Sequence, residues 1–421
     1  MSPHPSDAHA PTTGHQDASS GGSARNRGVL ILNWRDTANP EGGGSELYVE
    51  RVAAGLAAQG RPVTLLCAAH PGAPAEDRER VEGVRILRRG GRLGVYLWAF
   101  LLHLGRRLGP HGVVIDVQNG LPFFSRVWCR RPVVVLVHHV HREQWGVVLP
   151  APLAALGWWI ESRLAPRLYQ RARYVTVSEA TRRELVGLGV RGEAITVVHN
   201  GVDQPASSAS SRAAVPTICV LGRLVPHKRV EYALEAAARI RAELPQLKVL
   251  VVGQGHWELR LREMVARLGL EDTVELLGFV SNEAKHEILA RSWVLAMPSL
   301  KEGWGLAVLE AATHATPTVA FRAAGGVAES VLHGETGLLA GDPEEFTRQL
   351  QRVLCERPLR ERLGAAAQER SAAFTWARTV TGFAAVVAAA EAETEAEAAG
   401  AGLSAPGPGP APAPEAPGSG P

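Results

Sequence analysis

Short runs of β-branched and other apolar residues alternate with helical patterns from residue 29 to about residue 375. This alternation is typical of parallel sheets whose strands are joined by crossover helices. The predicted strands are 29–34, 62–68, 84–87, 113–118, 133–139, 174–177, 195–199, 217–221, 249–252, 274–277, 294–297 and 318–321. The predicted helices include 46–58, 151–171, 230–242, 304–314, 344–355, 359–372 and an Ala/Glu-rich last helix, 375–397.

A Ser/Ala-rich segment, 204–215, interrupts the alternation and reads as a linker. It separates an N-terminal domain, 27–203, from a C-terminal domain, 216–375, which is followed by a helix at 376–398. The predicted fold class is therefore α/β, with two Rossmann-like, doubly wound parallel-sheet domains facing a cleft. Ligands of open parallel sheets bind beyond the carboxyl ends of the strands, so we expect the substrate site in that cleft.

The composition agrees with two globular domains and two tails. The 421 residues are 46% hydrophobic and 21% charged. Residues 1–26 and 399–421 are rich in Gly, Pro, Ser and Ala, and are predicted to be disordered. The N-terminal tail lacks the apolar region of a signal peptide, and the apolar runs 93–102 and 149–160 are shorter than the roughly 18–20 residues of a membrane span. We therefore expect a soluble, cytoplasmic protein.

Four cysteines, Cys67, Cys129, Cys219 and Cys355, are widely separated and form no Cys-x-x-Cys pair. This spacing argues against a disulfide framework or a zinc site. Reduced, buried thiols are the expectation.

Positive charge is concentrated in the N-terminal half. Residues 85–191 contain 17 Arg, no Lys and 5 acidic residues, although the net charge of the whole chain is only +3. An anionic partner would explain this excess, and so would a coding bias towards Arg, because only 4 of the 45 basic residues are Lys. No nucleic-acid-binding module is recognisable.

Segments 92–109 and 150–173 mix Leu and Trp with Arg. Two interpretations are open: the segments lie on an anionic membrane, or they pack on the sheet with basic outer faces.

Two strand-to-helix junctions carry residues suited to phosphate binding. Gly43 and Gly44 follow the first strand and open the first helix, where the backbone can approach an anion. This loop is neither a dinucleotide fingerprint nor a Walker loop, and a flexible turn remains an alternative. Arg223 and Lys228 stand five residues apart after the first strand of the second domain, and this pair of cations suits a diphosphate.

A third junction contains two carboxylates around a glycine-rich turn. Glu302 precedes Gly303 and Gly305, and Glu310 lies in the helix that follows, eight residues later. Carboxylates at such a turn can accept hydrogen bonds from the hydroxyl groups of a sugar or a ribose. A buried or capping role for Glu310 is the alternative.

With these residues the chain resembles retaining, family-4-type glycosyltransferases, the glycosyl transferases group 1, which have the GT-B fold and an E-x7-E motif. The resemblance covers roughly residues 28–375 and includes further segments in the family's order. These segments are Gly43-Gly44-Ser-Glu, Val177-Ser178-Glu-Ala, His199-Asn200-Gly201-Val202-Asp203, Gly222-Arg223-Leu with Lys228, Val252-Gly253-Gln-Gly255 and Gly325-Gly326-Val-Ala-Glu329-Ser. Two positions depart from the family's usual residues: Trp304 stands where Phe is common, and Ala315 where Gly is common.

The resemblance implies roles for individual residues. The N-terminal domain would serve the acceptor and the C-terminal domain the nucleotide sugar. The implied catalytic residues are Arg223, Lys228, Glu302 and His138. The implied donor-binding residues are Gly43, Gly44, Arg223, Lys228, Glu302, Gly303, Trp304, Gly305, Leu306 and Glu310.

Within this set, Arg223 and Lys228 would neutralise the diphosphate as it leaves. Glu310 would bind the ribose hydroxyls and Glu302 those of the transferred sugar, while His138 would face the sugar and the acceptor. His139 and His141 lie close to His138 in sequence and make a zinc site the rival interpretation of this segment. The chain has no Asp-x-Asp, so we expect the two cations to replace a metal ion, and no cofactor is predicted.

The predicted reaction moves a sugar from a UDP- or GDP-linked donor to an acceptor hydroxyl with retention, by attack on the same face of the sugar that the diphosphate leaves. The acceptor is not identified by the sequence, and a lipid-linked molecule, a cell-envelope glycan and a secondary metabolite all remain open. An anionic membrane surface is a further candidate partner, and would place the protein on the inner face of the plasma membrane. A GT-B sugar-nucleotide epimerase and an inactive GT-B accessory subunit are the alternative functions.

Overall fold

A computed structural model describes residues 28–205 and 211–403. The predicted N-terminal tail, most of the predicted C-terminal tail and residues 206–210 of the predicted linker lie outside the described residues.

The N-terminal domain is built on an eight-stranded sheet with the order β3-β4-β2-β1-β5-β6-β7-β8. All neighbouring strands are parallel except β3 and β4, which are antiparallel. The strands are β1 Val29–Leu32, β2 Val63–Cys67, β3 Glu76–Asp77, β4 Val84–Arg88, β5 Val113–Val117, β6 Val133–Val137, β7 Arg173–Thr176 and β8 Ile195–Val197.

The C-terminal domain is built on a six-stranded, fully parallel sheet with the order β11-β10-β9-β12-β13-β14. Its strands are β9 Thr217–Leu221, β10 Lys248–Val252, β11 Val274–Gly278, β12 Val294–Met297, β13 Thr318–Phe321 and β14 Gly337–Ala340. All twelve predicted strands are present within one or two residues, and within residues 28–205 and 211–403 the sequence pattern missed the two short edge strands β3 and β14.

Helices connect the strands and cover the sheets. They are α1 Gly44–Ala58, α2 Gly94–Leu104, α3 Ser125–Trp128, α4 Arg142–Val148, α5 Ala151–Trp159, α6 Ala165–Leu168, α7 Glu179–Gly187, α8 Val230–Ile240, α9 Glu258–Arg267, α10 Asn282–Arg291, α11 Leu306–Ala312, α12 Val327–Ser330, α13 Pro343–Cys355, α14 Arg357–Ser371 and α15 Trp376–Leu403. A π-helical turn, Ile160–Leu164, joins α5 to α6, and Gly192–Ala194 and Pro226–Lys228 form 3₁₀ turns.

Local sequence explains several of these boundaries. Ser178 and Ser281 cap α7 and α10 by accepting a hydrogen bond from the backbone N–H three residues on. Helix α11 was predicted to begin at Trp304, but it begins at Leu306, because Gly305 adopts a left-handed conformation with φ of 86°. The turn therefore extends two residues further than the apolar pattern indicates.

The N-terminal sheet has an apolar cluster on each face, as a doubly wound sheet requires. Helix α1 covers one face, and α2 and α6 cover the other. Strand β6, Val-Val-Val-Leu-Val, is buried along its whole length because helices lie on both sides of it.

The C-terminal helix α15 returns to the N-terminal domain. Its residues Phe383, Val386, Val387 and Ala390 belong to the apolar cluster that contains α1. A Cβ at Gly55 of α1 would lie 2.3 Å from Val380, so the two helices cross at close range. An ion pair of 2.5 Å between Arg61 and Glu391 lies beside this crossing. The last helix is therefore part of the N-terminal domain in space, although it follows the C-terminal domain in sequence.

Two observations bear on the expectations about thiols and membranes. Cys67, Cys129 and Cys219 are buried as expected, but Cys355 is exposed at the end of α13 and corrects that expectation. Across the described ranges, no single helix is long and apolar enough to cross a membrane. Helices α14 and α15 pass that test only as a pair, bent by 44° at the break between them.

Candidate functional site

The two domains meet at the carboxyl ends of their strands, around the predicted site residues. A Cβ at Gly303 would lie 2.3 Å from the carbonyl oxygen of His138, so the loop after β12 touches the backbone that follows β6. A Cβ at Gly44 would lie 3.4 Å from Cβ of Leu306. The glycine loop of the N-terminal domain therefore faces the E-x7-E segment across the cleft, as the two-sheet layout predicts.

Arg223 projects from the end of β9 towards the glycine loop. Its position is fixed by the loop after β10, because Gly253 and Gly255 pack against backbone atoms of Gly222 and Leu224 with no room for a side chain. The backbone N–H of Leu224 donates to the carbonyl of Gln254 at 2.9 Å. Only glycine permits this approach, which explains the Val252-Gly253-Gln-Gly255 segment.

The Arg223 guanidinium is held beside other charges without a close anionic partner. Its Nε lies 3.7 Å from the position of a Cβ at Gly43. Burial, and then the neighbouring Arg35, lower the pKa of Arg223, although not enough to remove its charge at neutral pH. Among the described residues, no carboxylate lies within ion-pair distance of Arg223, whereas Arg35 pairs with Glu41 and Glu46. Arg223 is therefore available to an anion placed between it and Gly43.

Lys228 and Glu302 form an ion pair of 2.5 Å between Nζ and Oε1. Burial would raise the pKa of Glu302, but Lys228, followed by Ser299, lowers it below its usual value. The carboxylate is therefore ionised and directed by the lysine. His227, beside this pair, has its pKa lowered to about 4 by burial and by Lys228, so its imidazole is neutral at pH 7.

Glu310 forms the second ion pair of the site, 2.5 Å from Nζ of Lys285. Lys285 comes from α10 and was not among the predicted site residues. The composition could have drawn attention to Lys285, because only 4 of the 45 basic residues in this chain are lysines. Three of the four lysines, Lys228, Lys285 and Lys301, pair with carboxylates in the C-terminal domain or across the cleft.

His138 is buried at the carboxyl end of β6, with its ring edge against Tyr48 at a centroid distance of 5.3 Å. Burial lowers its pKa to about 4, against a smaller raising effect of Glu46, so the imidazole is neutral at pH 7. Its Nε2 is buried and has no hydrogen-bond partner among the residues the structure describes. Such an atom is suited to a ligand hydroxyl, because an unpaired buried polar group is costly.

The neighbouring histidines have protein partners instead. His139 bonds to Gln144, and His141 Nδ1 lies 3.1 Å from Glu161. The rings of His139 and His141 lie 4.2 Å apart, on a different side from His138, as the alternation of side chains predicts. In the described parts of the chain these histidines form no metal-binding group, and the group that could hold a metal ion is His103, His111 and Cys129.

The side chain of Trp304 lies in a different environment from the other predicted donor-binding residues. Its side chain is 3% exposed and packs on His199 and Phe374, with ring centroids 4.3 and 5.3 Å away. The indole therefore packs between the two domains, and the donor-binding role of Trp304 stays a prediction. The structure brings the remaining predicted residues to the cleft: Gly43, Gly44, His138, Arg223, Lys228, Glu302, Gly303, Gly305, Leu306 and Glu310.

Two polar contacts hold the domains together beside the site. The carboxylate of Glu329 accepts hydrogen bonds from the backbone N–H groups of Glu179 and Ala180, at 2.8 and 2.5 Å. A carboxylate at the first turn of α7 is favourable because the helix presents unpaired N–H groups there. Lys301 pairs with Glu184 of the same helix. The segments Val177-Ser178-Glu-Ala and Gly325-Gly326-Val-Ala-Glu329-Ser thus meet as an interdomain contact.

Solved structures with the same overall architecture confirm the predicted fold class, GT-B with two Rossmann-like domains. One is Anabaena Alr3699/HepE in complex with UDP and glucose, with a TM-score of 0.67, 20% identity, and coverage of 86% of this chain and 100% of that one. Another is sucrose-phosphate synthase from Thermosynechococcus elongatus, with a TM-score of 0.72, 19% identity, and coverage of 86% and 98%.

Curated relatives include a D-inositol 3-phosphate glycosyltransferase of Streptomyces scabiei, 28% identical over 395 residues, which are 83% of this chain and 87% of the relative. An exopolysaccharide phosphotransferase of Streptomyces coelicolor is 32% identical over 207 residues, 48% of this chain and 21% of the relative. A D-inositol 3-phosphate glycosyltransferase of Streptomyces bingchenggensis is 30% identical over 52% of this chain and 53% of the relative. The chain thus spans between about a fifth and half the length of several relatives that it matches.

Family models match both domains. The model of Glycosyltransferase Family 4 matches residues 42–204, which contain the glycine loop and His138. The model of glycosyl transferases group 1 matches residues 206–370, which contain Arg223, Lys228 and both carboxylates of the E-x7-E segment. With more than three quarters of its residues in these two matches, the chain belongs to the glycosyl transferases group 1, with a Glycosyltransferase Family 4 domain at its N-terminal side.

Proposed function

We propose that this protein transfers a sugar from a nucleotide-sugar donor to an acceptor hydroxyl, with retention of configuration and without a metal ion. The observation that carries the proposal is Arg223, a half-buried cation with no close carboxylate partner in the described residues, facing the Gly43-Gly44 loop. Lys228 lies on the same side of the cleft, on the next turn. Two cations and a glycine backbone suit a diphosphate, because fixed charges act strongly where water is excluded.

The chemistry follows from these positions. As the bond between sugar and diphosphate breaks, negative charge develops on the leaving oxygen, and Arg223 and Lys228 stabilise it. The acceptor hydroxyl attacks from the same face and gives its proton to that oxygen, so no protein base is required. Glu302 stays ionised beside Lys228 and accepts hydrogen bonds from sugar hydroxyls, and the neutral His138 offers Nε2 to the sugar or the acceptor.

Glu310 would bind the ribose hydroxyls while Lys285 holds its carboxylate in place. This arrangement leaves one carboxylate oxygen for the ligand, since the 2.5 Å contact involves Oε1. Lys285 is thus proposed as a positioning residue, which acts through Glu310. The Anabaena HepE structures contain UDP and UDP-glucose, which makes UDP-glucose the first donor to test.

The acceptor is proposed to reach the site from the N-terminal domain. Helices α2, α3 and α5 cover the same face of its sheet, and each leaves apolar side chains exposed on the outside of that layer. These side chains are Leu93, Leu97, Trp98, Phe100, Leu101, Leu104, Val127, Leu153, Leu156 and Trp159. Exposed arginines such as Arg106, Arg107 and Arg163 flank them. We propose that this surface lies on anionic lipid of the inner face of the plasma membrane, because apolar insertion and basic charge together favour that partner.

The activity is tested by incubating the full-length protein with UDP-, GDP- and ADP-sugars and measuring binding, then nucleotide release with candidate acceptors. D-inositol 3-phosphate is a first acceptor to include, because several relatives carry its name. On the active donor and acceptor, folded Arg223→Ala and Lys228→Ala should lower kcat by about 10²–10³-fold. Arg223→Ala should leave the melting temperature unchanged, whereas Lys228→Ala should lower it, because the Glu302 carboxylate loses its partner. Arg262→Ala, an exposed arginine in the same domain, is the matched control. Folded Arg223 and Lys228 variants with full turnover would refute the proposed roles.

The products separate the alternatives. An epimerase would convert the nucleotide sugar without any acceptor, and an inactive accessory subunit would release no nucleotide. The anomeric configuration of the product, read by NMR, decides between retention and inversion.

The membrane surface has its own test. Flotation of the protein with vesicles containing anionic lipid should be lost in the double variant Leu97→Glu/Leu104→Glu. Leu259→Glu provides the control, because Leu259 is equally exposed but lies in the C-terminal domain. Absence of flotation of the unaltered protein at low salt would end the membrane proposal and leave the transferase proposal unaffected.

A further inference from the structure

Three potential metal ligands converge at the edge of the N-terminal sheet opposite to the cleft. His103 lies in the last turn of α2, His111 lies two residues before β5, and Cys129 follows α3. One ligating atom of each lies within 4.8 Å of the other two. Because β5 begins just after His111, this group lies at the amino ends of the strands, whereas the substrate cleft lies at their carboxyl ends. The group is therefore separate from the transferase site.

Contacts around the group orient two of the three ligands. Nδ1 of His111 lies 3.0 Å from the carbonyl oxygen of Gly109, so Nδ1 carries the proton and Nε2 presents its lone pair. The backbone N–H of Arg131 donates a hydrogen bond to the sulfur of Cys129, but burial holds the pKa of this thiol above its usual value, so the thiol would lose its proton as a metal ion binds. Within the described residues, the ring nitrogens of His103 have no hydrogen-bond partner, while the ring itself lies 4.8 Å from Trp128.

We propose that His103, His111 and Cys129 bind one Zn²⁺, with water in the fourth position. Two imidazoles and a thiolate form a ligand set that zinc prefers, and the group contains none of the carboxylates that Mg²⁺ or Ca²⁺ requires. Tetrahedral zinc bonds of about 2.0–2.3 Å place ligand atoms roughly 3.3–3.8 Å apart. The present separations of up to 4.8 Å close by side-chain rotation, which is possible because both histidines are only half-buried.

The charged side chains near Cys129 are arginines, so the surroundings of the group are positively charged. Arg126 and Arg131 are close enough to act on the Cys129 thiol, and the thiolate formed when the metal displaces its proton would supply the one negative charge among the three ligands. Affinity therefore depends on the ligand bonds and not on a net negative potential. The bound ion would tie the end of α2 to the loop before β5 and to α3, which are separated by up to 26 residues in sequence. The proposed site does not depend on the proposed transferase activity.

The test uses the full-length protein, stripped of metal with a chelator under reducing conditions and titrated with Zn²⁺ against a chromophoric competitor. We expect one equivalent of Zn²⁺ to bind, and Cys129→Ser to weaken binding by at least about tenfold. Cys355→Ser is the matched control, because Cys355 is the exposed thiol and should leave Zn²⁺ affinity unchanged. His111→Gln should weaken binding in the same way as Cys129→Ser.

A second measurement needs no variant and guards against a substitution that prevents folding. Co²⁺ bound to the unaltered protein should show a thiolate-to-metal charge-transfer band and a tetrahedral ligand-field spectrum. A missing thiolate band, or equal Zn²⁺ affinity of the unaltered protein and folded Cys129→Ser, would overturn the proposal. Either result would mean that the three side chains only pack against one another and Trp128.

Discussion

The ion pair between Lys285 and Glu310 yields a quantitative prediction that requires no substrate. Its two side chains are 19% and 12% exposed, and Nζ lies 2.5 Å from Oε1. At about 4 Å between charge centres and an effective dielectric constant of about 20, the attraction is about 4 kcal/mol. Desolvation of both groups offsets part of it. We expect Lys285→Ala to lower the free energy of unfolding by about 2–3 kcal/mol, because it leaves a largely buried carboxylate unpaired.

A double-mutant cycle separates the pair from the packing of each side chain. Lys285→Ala, Glu310→Ala and the double variant are unfolded with urea and followed by circular dichroism, and the expected coupling energy is about 2 kcal/mol. The comparison pair is Arg262 and Glu258, four residues apart on α9 and 52% and 30% exposed. Its expected coupling is about 0.3–0.5 kcal/mol. A coupling below about 0.5 kcal/mol for Lys285 and Glu310 would refute the reasoning, because only a solvated pair gives so small a value.

Three further predictions concern the domain contact and the buried histidine. Gly303→Ala should push the domains apart and lower kcat at least about tenfold. The added Cβ would lie 2.3 Å from the His138 carbonyl oxygen, and this contact is between backbone segments that cannot rotate away. Small-angle scattering would measure the domain opening. Glu329→Ala should speed amide exchange at Glu179 and Ala180, which lose their acceptor. Burial lowers the pKa of His138 to about 4 in the native state. Between pH 6.5 and 4 the imidazole is therefore protonated in the unfolded state and neutral in the native state. The free energy of unfolding should therefore decrease as the pH is lowered, by up to about 2 kcal/mol from pH 6.5 to 5. The urea midpoint of His138→Gln should decrease less over the same range.

Controls for these three predictions come from the same chain. Gly187→Ala adds a Cβ with nothing within 4 Å and should leave scattering and kcat unchanged. An unchanged exchange rate at Ala180 in Glu329→Ala would contradict the interdomain hydrogen bonds. Equal pH dependence of the unaltered protein and His138→Gln would mean that the other histidines account for the whole effect.

The sequence alone determined the fold class and most of the cleft. Hydrophobic periodicity and composition are local properties, so twelve strands and their division between two sheets follow from residues close to one another in the chain. The placement of the glycine loop, Arg223, Lys228 and the E-x7-E segment at one edge also follows, because each comes directly after a strand of a parallel sheet. The short edge strand β14 escaped the pattern because its four residues include a glycine and give little periodicity.

Only the tertiary structure decided which side chains meet. Glu310 and Lys285 are 25 residues apart on different helices, and no local pattern pairs them. Trp304 has the sequence position of a donor-site residue, but its large apolar ring lies among His199 and Phe374, because burying it between the domains removes it from water. The group of His103, His111 and Cys129 has no metal-binding spacing in sequence and exists only because α2 and α3 end, and β5 begins, at the same edge of the sheet. Contacts between elements depend on how faces pack in three dimensions, and that information is not local in the chain.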